Sequence, residues 1–430
     1  MYARLRWLIV LTLFVGGGIS YLDRAALSVA APLIAKDLHL DPAQLGIVFS
    51  SFFLGYALFC FVGGFASDKF GPKNVFTLAM TIWSVFCGLT AAATGMASLL
   101  VIRVIFGAGE GPFSSTANKL VSNWFPRREQ ASAVGMANAG QPLGAALAGP
   151  TVGLIAISAG WRLSFVLIAA IGIIWVLFWR VIATDRPEQH RLLRNFDPAA
   201  AMPEDAAEMR LRPTVSLSAY FRRPAILATA FAFFGYAYIL YFFLSWFPSY
   251  LTIVHHLSVQ HMGFVNAIPW LLGFVGLASS GFVCDAIYRR TGNALFARKL
   301  ILVASLAIAA RCVALAGITS SVAMVVALMA VSVFFMYLSA STYWAIVLDT
   351  VEGGRIGAVS GFVHLIANLA GIVAPMATGF LVQASGTFTS AFVVTGGIAV
   401  LGALGVAIFV RQPHAVTATV ASMASVSSRG

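Results

Sequence analysis

Apolar segments long enough to cross a lipid bilayer alternate with short polar connections along almost the whole chain. A membrane-spanning helix needs about 20 predominantly apolar residues. Windows of that kind predict twelve spanning helices, at roughly 7–32, 45–66, 74–93, 97–118, 131–157, 162–184, 224–247, 261–284, 297–317, 321–345, 355–381 and 388–410. The pattern therefore predicts an all-α polytopic membrane protein.

One longer polar stretch divides these helices into two groups of six. Residues 185–222 contain four prolines and six of the fifteen acidic residues, and they predict a cytoplasmic linker. The predicted domains are a first six-helix bundle at 1–184 and a second at 223–411, followed by a cytoplasmic tail at 412–430.

An internal repeat supports this division. Shifting the chain by 217 residues pairs 7–68 with 224–285 and gives fifteen identities in 62 positions. The identities include Tyr21/Tyr238, Leu27/Leu244, Ser28/Ser245, Gly46/Gly263, Gly64/Gly281 and Asp68/Asp285. A duplication whose two copies have the same orientation is a recurring plan of membrane transporters. The two halves are therefore predicted to be parallel repeats.

Composition agrees with a membrane protein. The chain is 60% hydrophobic and 10% charged, with a mean hydropathy of +0.90, whereas soluble domains average about 25% charged residues. The net charge of +12 does not indicate a nucleic-acid partner, because the basic residues concentrate in alternate connections, as the positive-inside rule requires. The opposite connections hold Lys36 and Arg162. We expect both termini in the cytoplasm and a multi-pass protein of the bacterial inner membrane.

Cysteine and histidine spacing indicates neither a metal site nor a cofactor. Cys60, Cys87, Cys284 and Cys312 lie in separate apolar segments. The histidines at 255, 256 and 261 lie in one connection, for which a metal site is not expected. Because no nucleophile–base constellation stands out either, the chain is not expected to be an enzyme.

Four charges inside the first and fourth spans are the main candidates for function: Asp23, Arg24, Arg103 and Glu110. Intramembrane charges are costly and usually mark substrate or proton pathways. The depths of Asp23 and Arg103 match, so we expect them to pair. Glu110 lies seven residues beyond Arg103, on the same face and about 10 Å deeper. The alternative is that all four charges form purely structural bridges between helices.

The connection after the second span carries the segment Gly64-Phe-Ala-Ser-Asp68-Lys69-Phe-Gly71-Pro-Lys73. It resembles the signature loop of the major facilitator superfamily. The predicted roles are close helix approach at Gly64, an acceptor at Asp68 and a turn at Gly71. Basic side chains at Lys69 and Lys73 keep the loop cytoplasmic. A gating latch is expected, whose partners would be Arg127, Arg128 and Glu129.

Two further segments resemble a narrower family, the anion:cation symporters. They are Tyr21-Leu-Asp23-Arg24-Ala-Ala-Leu-Ser28 and Arg103-Val-Ile-Phe-Gly107-Ala-Gly109-Glu110-Gly-Pro112. The bacterial sugar-acid members of that family imply that Asp23 and Glu110 carry protons and that Arg24 receives the substrate carboxylate. They also imply Arg103 as the electrostatic partner, and Tyr56 and Gln141 as pocket residues.

Weaker candidates for substrate contacts are polar or aromatic residues of the predicted cavity-lining helices: Tyr21, Ser341, Trp344 and Asn368. The roles of His364 and Arg311 stay open.

The residues and the resemblance together predict a proton-coupled symporter for a small organic anion, such as galactonate, glucarate or a hexuronate. It is expected to work as a monomer by alternating access. The alternative substrate is an aromatic or dicarboxylic acid, such as phthalate or tartrate. A drug/proton antiporter is less favoured, because fixed arginines in the cavity oppose cation binding.

Overall fold

The computed structural model describes residues 2–193, 216–351 and 356–411, which form sixteen α-helices. The first eight are α1 (Tyr2–Asp37), α2 (Pro42–Phe70), α3 (Pro72–Leu89), α4 (Met96–Glu110), α5 (Phe113–Trp124), α6 (Arg127–Asn138), α7 (Gly140–Ala159) and α8 (Trp161–Ile182). The second eight are α9 (Leu217–Phe221), α10 (Pro224–Ile253), α11 (Val259–Thr291), α12 (Ala294–Ala316), α13 (Val322–Ser339), α14 (Thr342–Thr350), α15 (Ile356–Ser385) and α16 (Thr389–Phe409). Among the described residues, twelve segments are long and apolar enough to span a membrane, as predicted.

Three predicted spans are broken helices. The fourth comprises α4 and α5, interrupted at Gly111 and Pro112, and the fifth comprises α6 and α7. The tenth comprises α13 and α14, interrupted at Ala340 and Ser341. The proline ring explains the first break, because Pro112 has no amide hydrogen to donate to the preceding turn. Hydropathy could not reveal the breaks, since all three segments stay apolar.

The two halves pack tightly at the end of the bundle where α1 ends and α2 begins, which we call the closed end. There α2 lies against α15, and α7 lies against α11. A Cβ at Gly46 would approach the carbonyl oxygen of Pro375 to 2.7 Å, and a Cβ at Gly263 would overlap the carbonyl oxygen of Gly149. Gly46 and Gly263 are repeat partners, so the duplicated position serves the same contact in both halves.

The predicted linker is described only in part. Residues 187–189 and 191–193 form short 3₁₀ turns, and α9 precedes the second half. Residues 194–215 and the predicted tail at 412–430 lie outside the described residues. The domain boundaries given above stay predictions.

Candidate functional site

Glycines of α2 and α4 bring the backbones of these helices into direct contact beside the intramembrane charges. A Cβ at Gly107 would overlap the carbonyl oxygen of Phe52, and one at Gly55 would overlap that of Val104. A Cβ at Gly111 would lie 2.7 Å from the carbonyl oxygen of Tyr56. This packing leaves no room for a side chain at these positions, and it places Phe52 and Tyr56 beside the end of α4, where Glu110 lies.

Arg24 and Glu110 form a buried ion pair between α1 and the end of α4. The Arg24 Nη2 and Nε atoms lie 2.6 and 2.7 Å from Glu110 Oε1. Ser20, one helical turn before Arg24, donates its hydroxyl hydrogen to the same oxygen. Glu110 is 0% exposed and Arg24 is 7% exposed. All three donors act on Oε1, so Glu110 Oε2 is buried without a hydrogen-bond partner among the described residues.

Aromatic rings surround the Arg24 guanidinium. Its central carbon lies 4.6 Å from the ring centroid of Tyr56, 4.8 Å from that of Phe52 and 5.2 Å from that of Tyr21. Aromatic faces attract cations most strongly where water is excluded. Two predicted pocket residues, Tyr21 and Tyr56, therefore lie beside the predicted anion receptor.

Arg103 does not pair with Asp23, and this prediction was wrong. The Arg103 guanidinium carbon lies 5.0 Å from the ring centroid of Phe52 and 4.9 Å from that of Phe106. Its Nε atom is buried without a hydrogen-bond partner in the described part of the chain. Depth alone did not identify the partner, because the partner also depends on the direction in which each side chain leaves its helix.

Asp23 instead points toward α3. The Trp83 indole N–H donates to Asp23 Oδ2 at 2.8 Å. The carboxyl is 1% exposed, and its Oδ1 atom has no partner among the described residues. Consecutive residues of a helix leave its axis about 100° apart. Asp23 and Arg24 therefore serve different neighbours, and only Arg24 reaches the ion pair with Glu110.

A small cavity connects the arginines with the second half. Its volume is about 10 Å³, and its lining consists of Arg24, Ser28, Phe49, Phe52, Phe53, Arg103, Leu244 and Ser245. Ser28 and Ser245 are repeat partners on α1 and α10. Two arginines and two serines thus border one space, which holds about one water molecule.

The second half approaches this cluster with neutral groups. Phe53 of α2 and Tyr241 of α10 have ring centroids 4.3 Å apart. Tyr241 donates to Asn368 Oδ1 at 3.3 Å, and Asn368 Nδ2 donates to the His364 carbonyl oxygen at 2.9 Å. This arrangement connects the predicted residue Asn368, through Tyr241, to Phe53, which lines the small cavity.

The other predicted substrate residues have different neighbours. Trp344 packs against Phe233 and His364, with ring centroids 5.5 and 5.4 Å apart. The Ser341 hydroxyl lies 2.7 Å from that of Ser280. Gln141 donates to Asn138 Oδ1 at 3.4 Å. In the described residues, none of these three makes a hydrogen bond or ion pair with the four charged side chains.

The predicted gating loop makes its contacts within the first half. Asp68 pairs with Lys119 at 2.7 Å, and Glu129 pairs with Arg6 at 2.7 Å. The predicted partnership of the loop with Arg127, Arg128 and Glu129 stays a prediction. The side chains of Arg127 and Arg128 lie outside the described residues, and the exposed Lys69 ammonium lies 5.2 Å from the Phe70 ring centroid.

Two glycines of the loop have different roles. Gly71 has a φ of +82°, which favours glycine, so the predicted turn is confirmed. A Cβ at Gly64 would make an ordinary contact with Ser115 at 3.7 Å, whereas one at Gly63 would overlap Pro112. The predicted close approach is thus at Gly63 and not at Gly64.

Sequence reasoning missed four contributors: Ser20, Phe52, Trp83 and Tyr241. Ser20 could have been found, because it precedes Arg24 by four residues and so shares its helix face. The others carry no charge and lie in apolar segments, where nothing in the sequence distinguishes them from packing residues.

Comparison with known proteins identifies the family. The Major Facilitator Superfamily model matches residues 13–375. The chain belongs to this superfamily. It is 46% identical to the hexuronate transporter of Bacillus subtilis, over 96% of each chain. It is 33% identical to the D-galactonate transporter of Escherichia coli, over 93% of this chain and 94% of that one. The probable sulfoacetate transporter of Cupriavidus necator is 32% identical, over 90% and 89% of the two chains.

Solved structures agree on the fold of this superfamily member. A bacterial homolog of the human lysosomal transporter Spinster superposes with a TM-score of 0.71 and 19% identity, covering 94% of this chain and 95% of that one. The predicted fold class, the predicted resemblance to sugar-acid transporters and the expectation of a transporter in place of an enzyme are therefore confirmed.

Proposed function

We propose that this superfamily member is a proton-coupled symporter that imports a sugar acid across the inner membrane by alternating access. A hexuronate is the first choice, because the relative that shares 46% of its residues is named a hexuronate transporter. The galactonate relative, at 33% identity, supports the same substrate class. With both termini cytoplasmic, as the basic connections predict, the closed end faces the periplasm.

The observation that carries the proposal is the buried Arg24–Glu110 pair with its unpartnered carboxylate oxygen. A proton that binds Glu110 at Oε2 neutralises the acid and weakens its hold on Arg24. The guanidinium can then bind a substrate carboxylate, for which its paired donors are well suited. Glu110 and the substrate thus compete for one receptor, which couples proton binding to substrate binding.

Charge balance determines which forms of the transporter can change between the inward-facing and outward-facing conformations. Asp23, Arg24, Arg103 and Glu110 carry two positive and two negative charges when all are ionised. One proton together with one substrate carboxylate leaves that sum unchanged. A proton or a substrate alone leaves a net charge in a closed, water-poor cavity, where an unpaired charge is costly. We infer that the empty and fully loaded forms interconvert fastest.

Asp23 is the second proton-binding group in this proposal, and a second proton keeps the charges balanced when the substrate carries two negative charges. Its Oδ1 atom is buried without a partner among the described residues, while Trp83 holds Oδ2. Tyr21 and Tyr56 are assigned to the substrate hydroxyls because their rings lie beside the Arg24 guanidinium. Asn368 is assigned with them because it accepts from Tyr241, whose ring packs on Phe53 of the small cavity. Gln141, Ser341 and Trp344 contact other residues in this conformation, and we assign their substrate contacts to a different conformation.

A dianionic substrate is the second candidate. Arg24 and Arg103 line the same cavity, and two guanidinium groups can receive two acidic groups. The relative named a probable sulfoacetate transporter adds weight, because sulfoacetate carries two negative charges.

The test is uptake of radiolabelled galacturonate into proteoliposomes, with and without an inward proton gradient. Accumulation that needs the gradient, and that excess glucuronate or galactonate blocks, supports the proposal. Competition by glucarate, tartrate or sulfoacetate alone assigns the dianionic class, and competition by phthalate alone assigns an aromatic acid. Uptake that is indifferent to the gradient, also after addition of a protonophore, contradicts proton coupling.

A further inference from the structure

A second cavity lies on the first half beside α3 and α8, and its lining contains none of the four intramembrane charges. It has a volume of about 430 Å³, and its lining consists of Lys73, Asn74, Thr77, Leu78, Thr81 and Arg180. These residues belong to the beginning of α3 and the last turn of α8. Polar side chains at 73, 77 and 81 are spaced by four, so they share one face of α3. A polar stripe that faces outward from a membrane protein requires an explanation.

The backbone around Lys73 is held from both sides. Asp185 accepts a hydrogen bond from the Lys73 backbone N–H at 2.7 Å, and the Trp179 indole N–H donates to the Lys73 carbonyl oxygen at 3.3 Å. Trp179 is completely buried, and Arg180 follows it directly. The contact that joins α8 to α3 therefore also fixes the two basic residues on the same groove.

Both basic side chains are available to a ligand. Within the described residues, neither Lys73 nor Arg180 has an ion-pair partner, and Arg180 is exposed. Asp185 is the carboxylate nearest to the start of α3, and one of its oxygens is used by the backbone of Lys73. The groove keeps a positive excess, which suits a phosphate group.

Exposed apolar side chains lie in the groove or near Arg180 in the chain: Leu78 lines the groove, and Leu177 and Val181 are three residues before and one residue after Arg180. Leu78 is 63% exposed, Leu177 is 61% exposed and Val181 is 84% exposed. A soluble anion does not bind to exposed apolar side chains. A phospholipid has both a phosphate, which basic residues can bind, and acyl chains, which pack against apolar residues. Basic pockets between membrane helices are known to bind acidic lipid headgroups.

We propose that the groove between α3 and α8 binds the headgroup of an anionic phospholipid, with its phosphate on Lys73 and Arg180 and its acyl chains along Leu78, Leu177 and Val181. Thr77 donates its hydroxyl hydrogen to the Lys73 carbonyl oxygen at 2.7 Å. Its oxygen can therefore accept a hydrogen bond from a headgroup hydroxyl, which favours a glycerol headgroup. The site is independent of the transported substrate.

The experiment measures binding of phosphatidylglycerol and phosphatidylcholine to the purified full chain by native mass spectrometry. We expect one tightly bound phosphatidylglycerol. Its affinity should fall about fivefold in Lys73→Gln or Arg180→Gln and roughly 25-fold in the double variant, from the usual contribution of a basic residue at an anionic membrane surface. The matched control is Arg289→Gln/Arg290→Gln, which removes two exposed charges at the same end of the bundle and should bind like the unchanged protein.

Equal affinity in the groove variant and in the control variant overturns the proposal. So does equal binding of phosphatidylcholine. Inorganic phosphate and glycerol 3-phosphate are tested by thermal shift. If either stabilises the protein as strongly as phosphatidylglycerol, the groove binds a soluble anion and the lipid assignment is wrong. Should the double variant not fold, Arg180→Gln alone decides, because that side chain makes no hydrogen bond or ion pair within the described residues.

Discussion

Helices α1 and α10 are repeat partners, yet they carry different chemistry. Arg24 of α1 pairs with Glu110 at 2.6 Å. Tyr241, at the corresponding position of α10, makes a neutral hydrogen bond to Asn368 at 3.3 Å. Positions that serve packing were kept in both copies, as Gly46 and Gly263 show, and Ser28 and Ser245 line one cavity from both sides. The duplicated scaffold is thus symmetric, whereas the buried charged side chains among the described residues all belong to the first half.

The largest effect is expected from Arg24→Gln. The variant leaves Glu110 buried without its cation, and breaking a buried ion pair costs about 3–5 kcal/mol. Uptake should fall at least about 100-fold, and the melting temperature should drop. In the double variant Arg24→Gln/Glu110→Gln, stability should return while uptake stays absent. Unchanged stability in the single variant contradicts the pairing.

Glu110→Gln separates proton coupling from substrate binding. The amide can still accept from Ser20 but cannot exchange a proton. We expect gradient-driven accumulation to fall at least about tenfold, whereas exchange of labelled for unlabelled substrate in the absence of a gradient continues. Loss of both activities would instead assign Glu110 to the substrate site.

The symmetry of the scaffold can be broken at Gly263. A methyl group there meets the backbone of Gly149, so Gly263→Ala should keep the closed end from closing. Overpacking costs about 1–3 kcal/mol, from which we expect about a tenfold loss of transport and greater labelling of engineered cysteines at that end. Gly281→Ala in the same helix is the matched control, because a Cβ there has no neighbour within 4 Å.

Trp83→Phe tests how Asp23 is held. The variant removes the indole N–H that donates to the buried Asp23 carboxylate. A hydrogen bond to a charged group contributes about 1.5–3 kcal/mol to stability. Trp175→Phe is the matched control variant, because the Trp175 indole donates at 3.1 Å to the neutral carbonyl oxygen of Thr12. Loss of that neutral hydrogen bond should lower the free energy of unfolding by only about 0.5–1.5 kcal/mol. We expect Trp83→Phe to lower the free energy of unfolding more than Trp175→Phe does. Trp83→Phe should also cause the larger loss of proton-driven uptake. The reverse order contradicts an ionised Asp23 in this conformation.

The smallest effect is expected from Tyr241→Phe in the second half. It removes one neutral hydrogen bond of about 1 kcal/mol, so KM should rise no more than about fivefold and the dependence on the proton gradient should not change. A loss of coupling in this variant would mean that the second half takes part in proton transfer.

Much of the site was predictable because intramembrane charges are rare. Asp23, Arg24, Arg103 and Glu110 could be selected from the sequence without knowledge of their partners. Tyr56, which the resemblance implied, and Tyr21, a weaker candidate, both lie beside Arg24. The pairing itself was not predictable. Depth along a helix follows from counting residues, but the partner depends on how each helix is rotated, and close glycine contacts such as that at Gly107 set this rotation.

The sequence by itself determined the number of membrane spans, the parallel duplication and the family. Each crossing of a bilayer requires about 20 consecutive apolar residues, so the number of spans follows directly from the order of residues in the chain. Only the tertiary structure decided that Arg24 pairs with Glu110, that Asp23 turns to Trp83 and that Lys73 and Arg180 share a groove. These contacts join residues 60 to 107 positions apart, and they depend on helix rotation and on backbone approach, which local sequence does not encode.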